Sequence, residues 1–188
     1  MTTVVAISGS LREKSYNTML MRAAAGYAPA GTTFETATIK DIPLYDGDVE
    51  ATHGIPAAVA ALKDRVAAAD GLLLVTPEYN NSLPGPFKNA IDWMTRPPAD
   101  APRVFAGRVV GVIGASLGAG GTGLAQAAWI PVFRTLGMVP FFGARLQVAN
   151  AAKVFDDSGA IVDDPVRALL EKYVARFVQF VAQHAAPR

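Results

Sequence analysis

The sequence predicts a doubly wound α/β domain: five parallel strands in the order 2-1-3-4-5, with crossover helices on both faces. Three observations predict it. The short runs Val4–Ile7, Gly71–Thr76 and Arg108–Ala115 are apolar on nearly every side, which fits strands covered on both faces of a parallel sheet. Segments with apolar residues at helical spacing stand between them, so strands and helices alternate along the chain. Each run ends in a loop of hydroxyls, amides, glycine or proline, and ligands of such sheets bind outside the carboxyl ends of the strands, at the switch point.

The first strand hands over to Ser8-Gly9-Ser10-Leu11-Arg12-Glu13-Lys14-Ser15-Tyr16-Asn17, and a helix follows near Tyr16 to Tyr27. A helix N-terminus carries unpaired N–H groups and a partial positive charge, so hydroxyls and a guanidinium beside it make a phosphate site. The loop lacks a Gly-Lys-Ser/Thr triplet and holds a single glycine, which excludes a triphosphate P-loop and the dinucleotide fingerprint. A terminal phosphate monoester, such as that of FMN, can instead be wrapped by Ser10, Arg12, Ser15 and Asn17. The plainer alternative is a Ser-rich helix cap with Arg12 in solvent.

Phe34–Ile39 alternates as a strand with one face exposed, near a sheet edge. Lys40–Gly54, with turn chemistry at Asp46-Gly47, reads as one long loop carrying His53. Pro56 opens a helix to about Ala69 that buries Val59, Leu62 and Val66 and turns Lys63, Asp64 and Arg65 outward. The next strand, Gly71–Thr76, leads into Pro77-Glu78-Tyr79-Asn80-Asn81-Ser82 and then a helix from Pro86. Arg96–Pro102 reads as a surface excursion. Arg108–Ala115 exits through the glycine-rich Ser116–Gly123. A helix from about Leu124 to Leu136 should kink at Pro131, and Met138–Val148 holds the fifth strand. Asp164 caps the last helix, with Pro165 in its first turn and a long apolar face from Val166 to Val181; His184 lies in a polar tail.

Composition narrows the function. A chain of 188 residues with 51% hydrophobic content suits one domain spanning residues 1–188. A net charge of +1 gives no basic field for nucleic acid, and no apolar stretch reaches the ~20 residues of a membrane span, so neither nucleic acid nor membrane is an expected partner. The start Met1-Thr2-Thr3 leaves no room for a signal peptide, so a cytoplasmic location is expected. There is no cysteine and there are two histidines, which argues against disulfides, thiolate or histidine-rich metal centres and cysteine nucleophiles. Such a chain borrows its chemistry from a cofactor.

Gly9-Ser10-Leu11-Arg12 with Ser15 and Asn17, then Thr76-Pro77-Glu78-Tyr79-Asn80, Ser82, Pro84-Gly85 and Lys88–Trp93, resembles the NADPH-dependent FMN reductase family. The stretch Asp41–Asp46 is similar to that of its bacterial quinone reductases, also described as chromate or azo reductases. The resemblance implies a flavodoxin-like fold, bound FMN, NADPH or NADH as hydride donor, and a homodimer or homotetramer. It implies that Ser10, Arg12, Ser15 and Asn17 hold the phosphate, with Thr18 assisting. Pro77, Glu78, Tyr79 and Asn80 then border the isoalloxazine, and Ser116 approaches its other side. Tyr79 fits either that border or an interface, and Glu78 either a caged carboxylate or an exposed loop charge. Many relatives carry arginines after the glycines, where this chain has Leu124 and Trp129-Ile130-Pro131, so any tetramer salt bridges and pyridine-nucleotide contacts of those arginines lack their residues here. Trp129 reads as an apolar replacement or as core, and the helix of Trp93 is where a dimer interface is expected.

The resulting expectation is a flavoenzyme passing a hydride from NAD(P)H through FMN N5 to a small-molecule acceptor such as a quinone, with no side chain acting as catalytic nucleophile. The rival is a flavodoxin-type electron carrier, which the absence of an acidic balance counts against. Arg96, Arg103 and Arg108 are the candidates for contacting a 2′-phosphate.

Overall fold

A computed structural model describes residues 1–185. Strand β1 (Thr2–Ser8) is followed by α1 (Tyr16–Gly26), β2 (Thr32–Thr38), α2 (Gly47–His53) and α3 (Ala57–Ala68). Then come β3 (Gly71–Val75), α4 (Gly85–Met94), a 3-10 turn at Pro98–Asp100 leading into α5 (Ala101–Phe105), and β4 (Val109–Ala115). The chain continues through α6 (Gly123–Ala128), α7 (Ile130–Thr135), β5 (Val139–Pro140), β6 (Gln147–Val148), α8 (Ala151–Val154) and α9 (Asp164–His184). All pairings between these strands are parallel, and the order is β2-β1-β3-β4-β5, with β6 also on β4.

Alternation along each strand divides the core in two. Val4 and Ala6 of β1, with Leu73, Val75, Val109 and Ile113, face α1 and α9. Val5 and Ile7, with Leu72, Leu74 and Val110, face the helices α3, α4, α5 and α7. Close approach is bought with glycine where α9 crosses the sheet: a Cβ at Gly111 would stand 2.8 Å from the Tyr173 hydroxyl and from Phe177. That hydroxyl donates to the Val112 carbonyl at 3.2 Å, and full burial holds its pKa well above the ordinary phenol value, so it stays protonated.

Several expectations are corrected. The stretch after β2 is not all loop: Asp46 caps α2 by accepting from the Asp48 N–H at 2.9 Å, so His53 is helical. His184 ends α9 and stacks on Phe180, with ring centroids 3.9 Å apart. The cap of α9 is Asp163, which accepts from Val166 N–H at 2.9 Å, rather than Asp164. Lys63 does not face outward. It is buried, donates to the Arg96 carbonyl and pairs with Asp100 at 2.5 Å, because the excursion after α4 folds back over α3 and buries Val104 and Phe105. The helix expected to kink at Pro131 is broken at Trp129, since a proline ring and its missing N–H disrupt the preceding turn. The fifth strand is two two-residue strands, paired with Val109–Val110 and with Gly114–Ala115, while the residues between them leave the sheet.

Candidate active site

The loop after β1 begins pressed against α4. The Gly9 N–H donates to the Val75 carbonyl at 2.9 Å, and a Cβ there would lie 2.0 Å from the Phe87 ring. No other residue fits without moving that ring. The Ser10 hydroxyl then accepts from the Arg12 N–H at 3.3 Å, and the Ser15 hydroxyl caps α1 by accepting from Asn17 and Thr18 N–H at 3.2 and 3.4 Å. Both hydroxyl hydrogens remain available to a ligand oxygen. The Arg12 guanidinium reaches only the Lys14 carbonyl, at 3.4 Å, and has no carboxylate partner among the described residues.

Asn17 fastens this loop to the next. Its Nδ2 donates to the Ala115 carbonyl at 2.8 Å and its Oδ1 accepts from the Ala115 N–H at 2.9 Å, both buried. The carboxamide thus holds the start of α1 against the end of β4, leaving one Nδ2 hydrogen unspent.

After β3, Tyr79 and Ser82 exchange backbone hydrogen bonds of 3.0 Å across Asn80 and Asn81, whose φ values of 50° and 61° make a two-residue reverse turn. Asparagine tolerates that left-handed backbone. The turn presents Tyr79 half-exposed. Glu78 is not a free loop charge: its Oε2 accepts from the Ala125 N–H of α6 at 2.9 Å. After β4, the Ser116 hydroxyl donates to the Gly121 carbonyl at 2.6 Å and so braces the glycine loop internally. A Cβ at Gly114 would meet the Thr76 carbonyl oxygen at 2.1 Å, so the second and third loops pack through glycine.

These loops enclose a cleft of about 620 Å³, within the range of small-molecule sites. Ser10, Arg12, Ser15, Asn17, Pro77, Glu78, Tyr79, Asn80 and Ser116 all line it. Thr18 does not; its hydroxyl pairs with Ser8 at 2.9 Å, beneath a separate cavity. Sequence reasoning missed Leu117 and Leu124, which are 60% and 54% exposed and also line the cleft. A leucine beside a glycine loop reads equally as core, so no signal in the sequence marked them. Trp93 packs within its own chain: it is fully buried, donates from Nε1 to the Pro43 carbonyl at 2.9 Å and meets Tyr45 edge-on. Trp129 is likewise core, donating to the Thr76 hydroxyl at 3.2 Å.

One end of the cleft offers cationic and hydroxyl donors at a helix N-terminus, and the rest offers amide edges, a tyrosine and leucines. That donor set fits a flat aromatic group carrying a terminal phosphate monoester. Among the described residues, no helix is long and apolar enough to cross a membrane, and no cluster of three or more acidic, histidine or cysteine side chains is placed to hold a metal ion.

The sequence profile of the family described as NADPH-dependent FMN reductase matches residues 2–153. An NAD(P)H-dependent FMN reductase of Pseudomonas aeruginosa is 41% identical over 169 residues, covering 90% of this chain and 89% of that protein. A 2-hydroxy-1,4-benzoquinone reductase of a Burkholderia species is 35% identical, covering 95% of each. The solved structure of FerB, a flavoenzyme NAD(P)H:(acceptor) oxidoreductase from Paracoccus denitrificans, superposes with a TM-score of 0.87 at 34% identity, covering 99% of this chain and all of that one.

Proposed function

Because the chain belongs to the NADPH-dependent FMN reductase family, we propose that its cleft holds FMN with the phosphate at the β1–α1 loop and the ring between the β3 and β4 loops. The observation that carries this is the meeting of Ser10, Arg12 and the Ser15-capped N-terminus of α1 with a tyrosine- and leucine-rimmed mouth in one cleft. Ser10 and Ser15 donate their free hydroxyl hydrogens to phosphate oxygens, and Arg12 supplies the balancing charge. Asn17 positions that loop against Ala115, and Thr18 contributes only its backbone to the cap. The residues Pro77, Glu78, Tyr79 and Asn80 border the ring, with Glu78 fixing the α6 end of the wall through the Ala125 N–H. Ser116 holds the opposite loop in shape through Gly121.

When bound, FMN would supply the redox chemistry at its N5, through which the hydride of NADPH or NADH would reach an acceptor such as a quinone, an azo or nitroaromatic compound, chromate or free flavin. The chain's own contribution is orientation and a slot bounded by Tyr79, Leu117 and Leu124. Such an apolar mouth reads flatness more than substituents, which supports a broad acceptor range. It admits one flat partner at a time, so donor and acceptor alternate. In this reading the chain acts as one domain, which the match over 99% of it to a single flavoenzyme chain supports, in the cytoplasm and as a homodimer or homotetramer.

Initial rates over a grid of NADPH and benzoquinone concentrations test this reading. Parallel double-reciprocal lines are expected; intersecting lines mean that both substrates occupy the cleft together, and the alternation fails.

A further inference from the structure

Across the β1–α1 loop from the main cleft lies a second cavity of about 380 Å³, which shares only Ser10 and Arg12 with it. Four cations line it, Arg12, Arg22, Lys40 and Arg65, against one carboxylate, Glu13. Arg65 is committed, donating to Glu35 at 3.2 Å and to the Thr36 carbonyl at 2.9 Å. The side chains of Arg22 and Lys40 have no hydrogen-bond or ion-pair partner among the described residues. They come from different elements: Arg22 stands one turn beyond Thr18 on the same face of α1, and Lys40 follows β2, its N–H bonded to the Thr38 hydroxyl at 3.1 Å.

Cations gathered around a cavity repel one another, and a bound dianion turns that repulsion into attraction. A phosphate monoester carries nearly two charges and three acceptor oxygens, which suits the Arg22 guanidinium and the Lys40 ammonium. The arginines that the sequence offered for a 2′-phosphate are spent elsewhere. Arg96 donates to Glu50 at 2.7 Å, Arg103 to Asp64 at 3.1 Å, and Arg108 to the carbonyls of Ala67 and Ala69. None of the three lines this cavity or the main cleft.

We propose that this second cavity receives the 2′-phosphate of NADPH, with Arg22 and Lys40 as the residues that distinguish NADPH from NADH. The inference rests on the reductase reading of the main cleft. Calorimetric titration of the FMN-loaded protein with adenosine 2′,5′-bisphosphate, 5′-AMP and inorganic phosphate tests it. The bisphosphate should bind about ten-fold or more tightly than either other probe, and Arg22→Ala/Lys40→Ala should bring it within about two-fold of 5′-AMP. Both substitutions are on exposed side chains, so the variant should retain FMN as the wild type does. Equal binding of bisphosphate and 5′-AMP overturns the proposal, as does a preference that survives in the variant. Inorganic phosphate binding as tightly as the bisphosphate reduces the cavity to a general anion patch and also overturns it. Failure of the reductase reading looks different: NADPH leaves the flavin bands unchanged while the bisphosphate preference and its loss in the variant persist, and the cavity assignment stands.

Discussion

Arg12 is the cation whose loss should be felt most directly in the main cleft. Its guanidinium makes one long contact with its own loop, so removing it costs the fold little. A charge-assisted hydrogen bond to phosphate is worth roughly 1.5–3 kcal/mol. Arg12→Ala should therefore raise the FMN dissociation constant by about 10- to 100-fold, read from flavin fluorescence quenching, while turnover of FMN-saturated enzyme changes far less. Asn17 poses the opposite case. Substituting alanine strands the buried N–H and carbonyl of Ala115, at a cost of about 1–3 kcal/mol. Asn17→Ala should thus lower the urea midpoint, whereas Arg12→Ala should leave it nearly unchanged. From the sequence both residues read as phosphate donors; an amide suits a ligand and a buried backbone tie equally, and the tie spans 98 positions.

At the scale of elements, the loops are only as well placed as the helices behind them. The ring of Phe87 in α4 occupies the space a Cβ at Gly9 would need, so Gly9→Ala should displace the β1–α1 loop and weaken both FMN binding and thermal stability. Helix α2 hangs on a smaller device. Glu50 accepts from the Tyr45 hydroxyl at 2.9 Å and from Arg96 Nε at 2.7 Å, and the Arg96 hydrogen bond, more than any other influence, holds its carboxyl below the usual range. A carboxyl depressed in the folded state contributes stability above its unfolded pKa and loses it as pH falls through the folded one. Urea midpoints measured from neutral pH down to about pH 3 should fall less steeply for Glu50→Gln than for the wild type. Asp100 and Asp156 are also held low, by Lys63 and by Ser158, so the acid limb should be reduced without disappearing. The long elements were legible because apolar period is a strong signal: β1, β3, β4, α1, α3, α4 and α9 lie where the pattern puts them. Short ones were not. All of α2 is at least partly exposed and has no apolar period, though Asp46 with acids in the following turn was a cap signal. Lys63 reads as a surface residue until Asp100, 37 positions later, is folded onto it.

At the scale of the molecule, a sheet packed on both faces keeps the interior for stability and leaves the carboxyl ends of its strands for binding. Three loops that are far apart in the chain meet there because β1, β3 and β4 are neighbours. Asn17 to Ala115, Glu78 to Ala125 and Thr76 to Ile113 then lock them into one wall. This convergence could be anticipated from alternating elements and the strand order; the wall's leucines and the second, cationic cavity could not, since they depend on side chains meeting across elements. The most direct test of the whole account is the visible spectrum of the protein, loaded with FMN and freed of excess, before and after anaerobic addition of NADPH. Retained flavin bands that bleach within the turnover time are the predicted result. Bands absent after loading, or bands that bleach with dithionite but persist with NADPH and NADH, would contradict it.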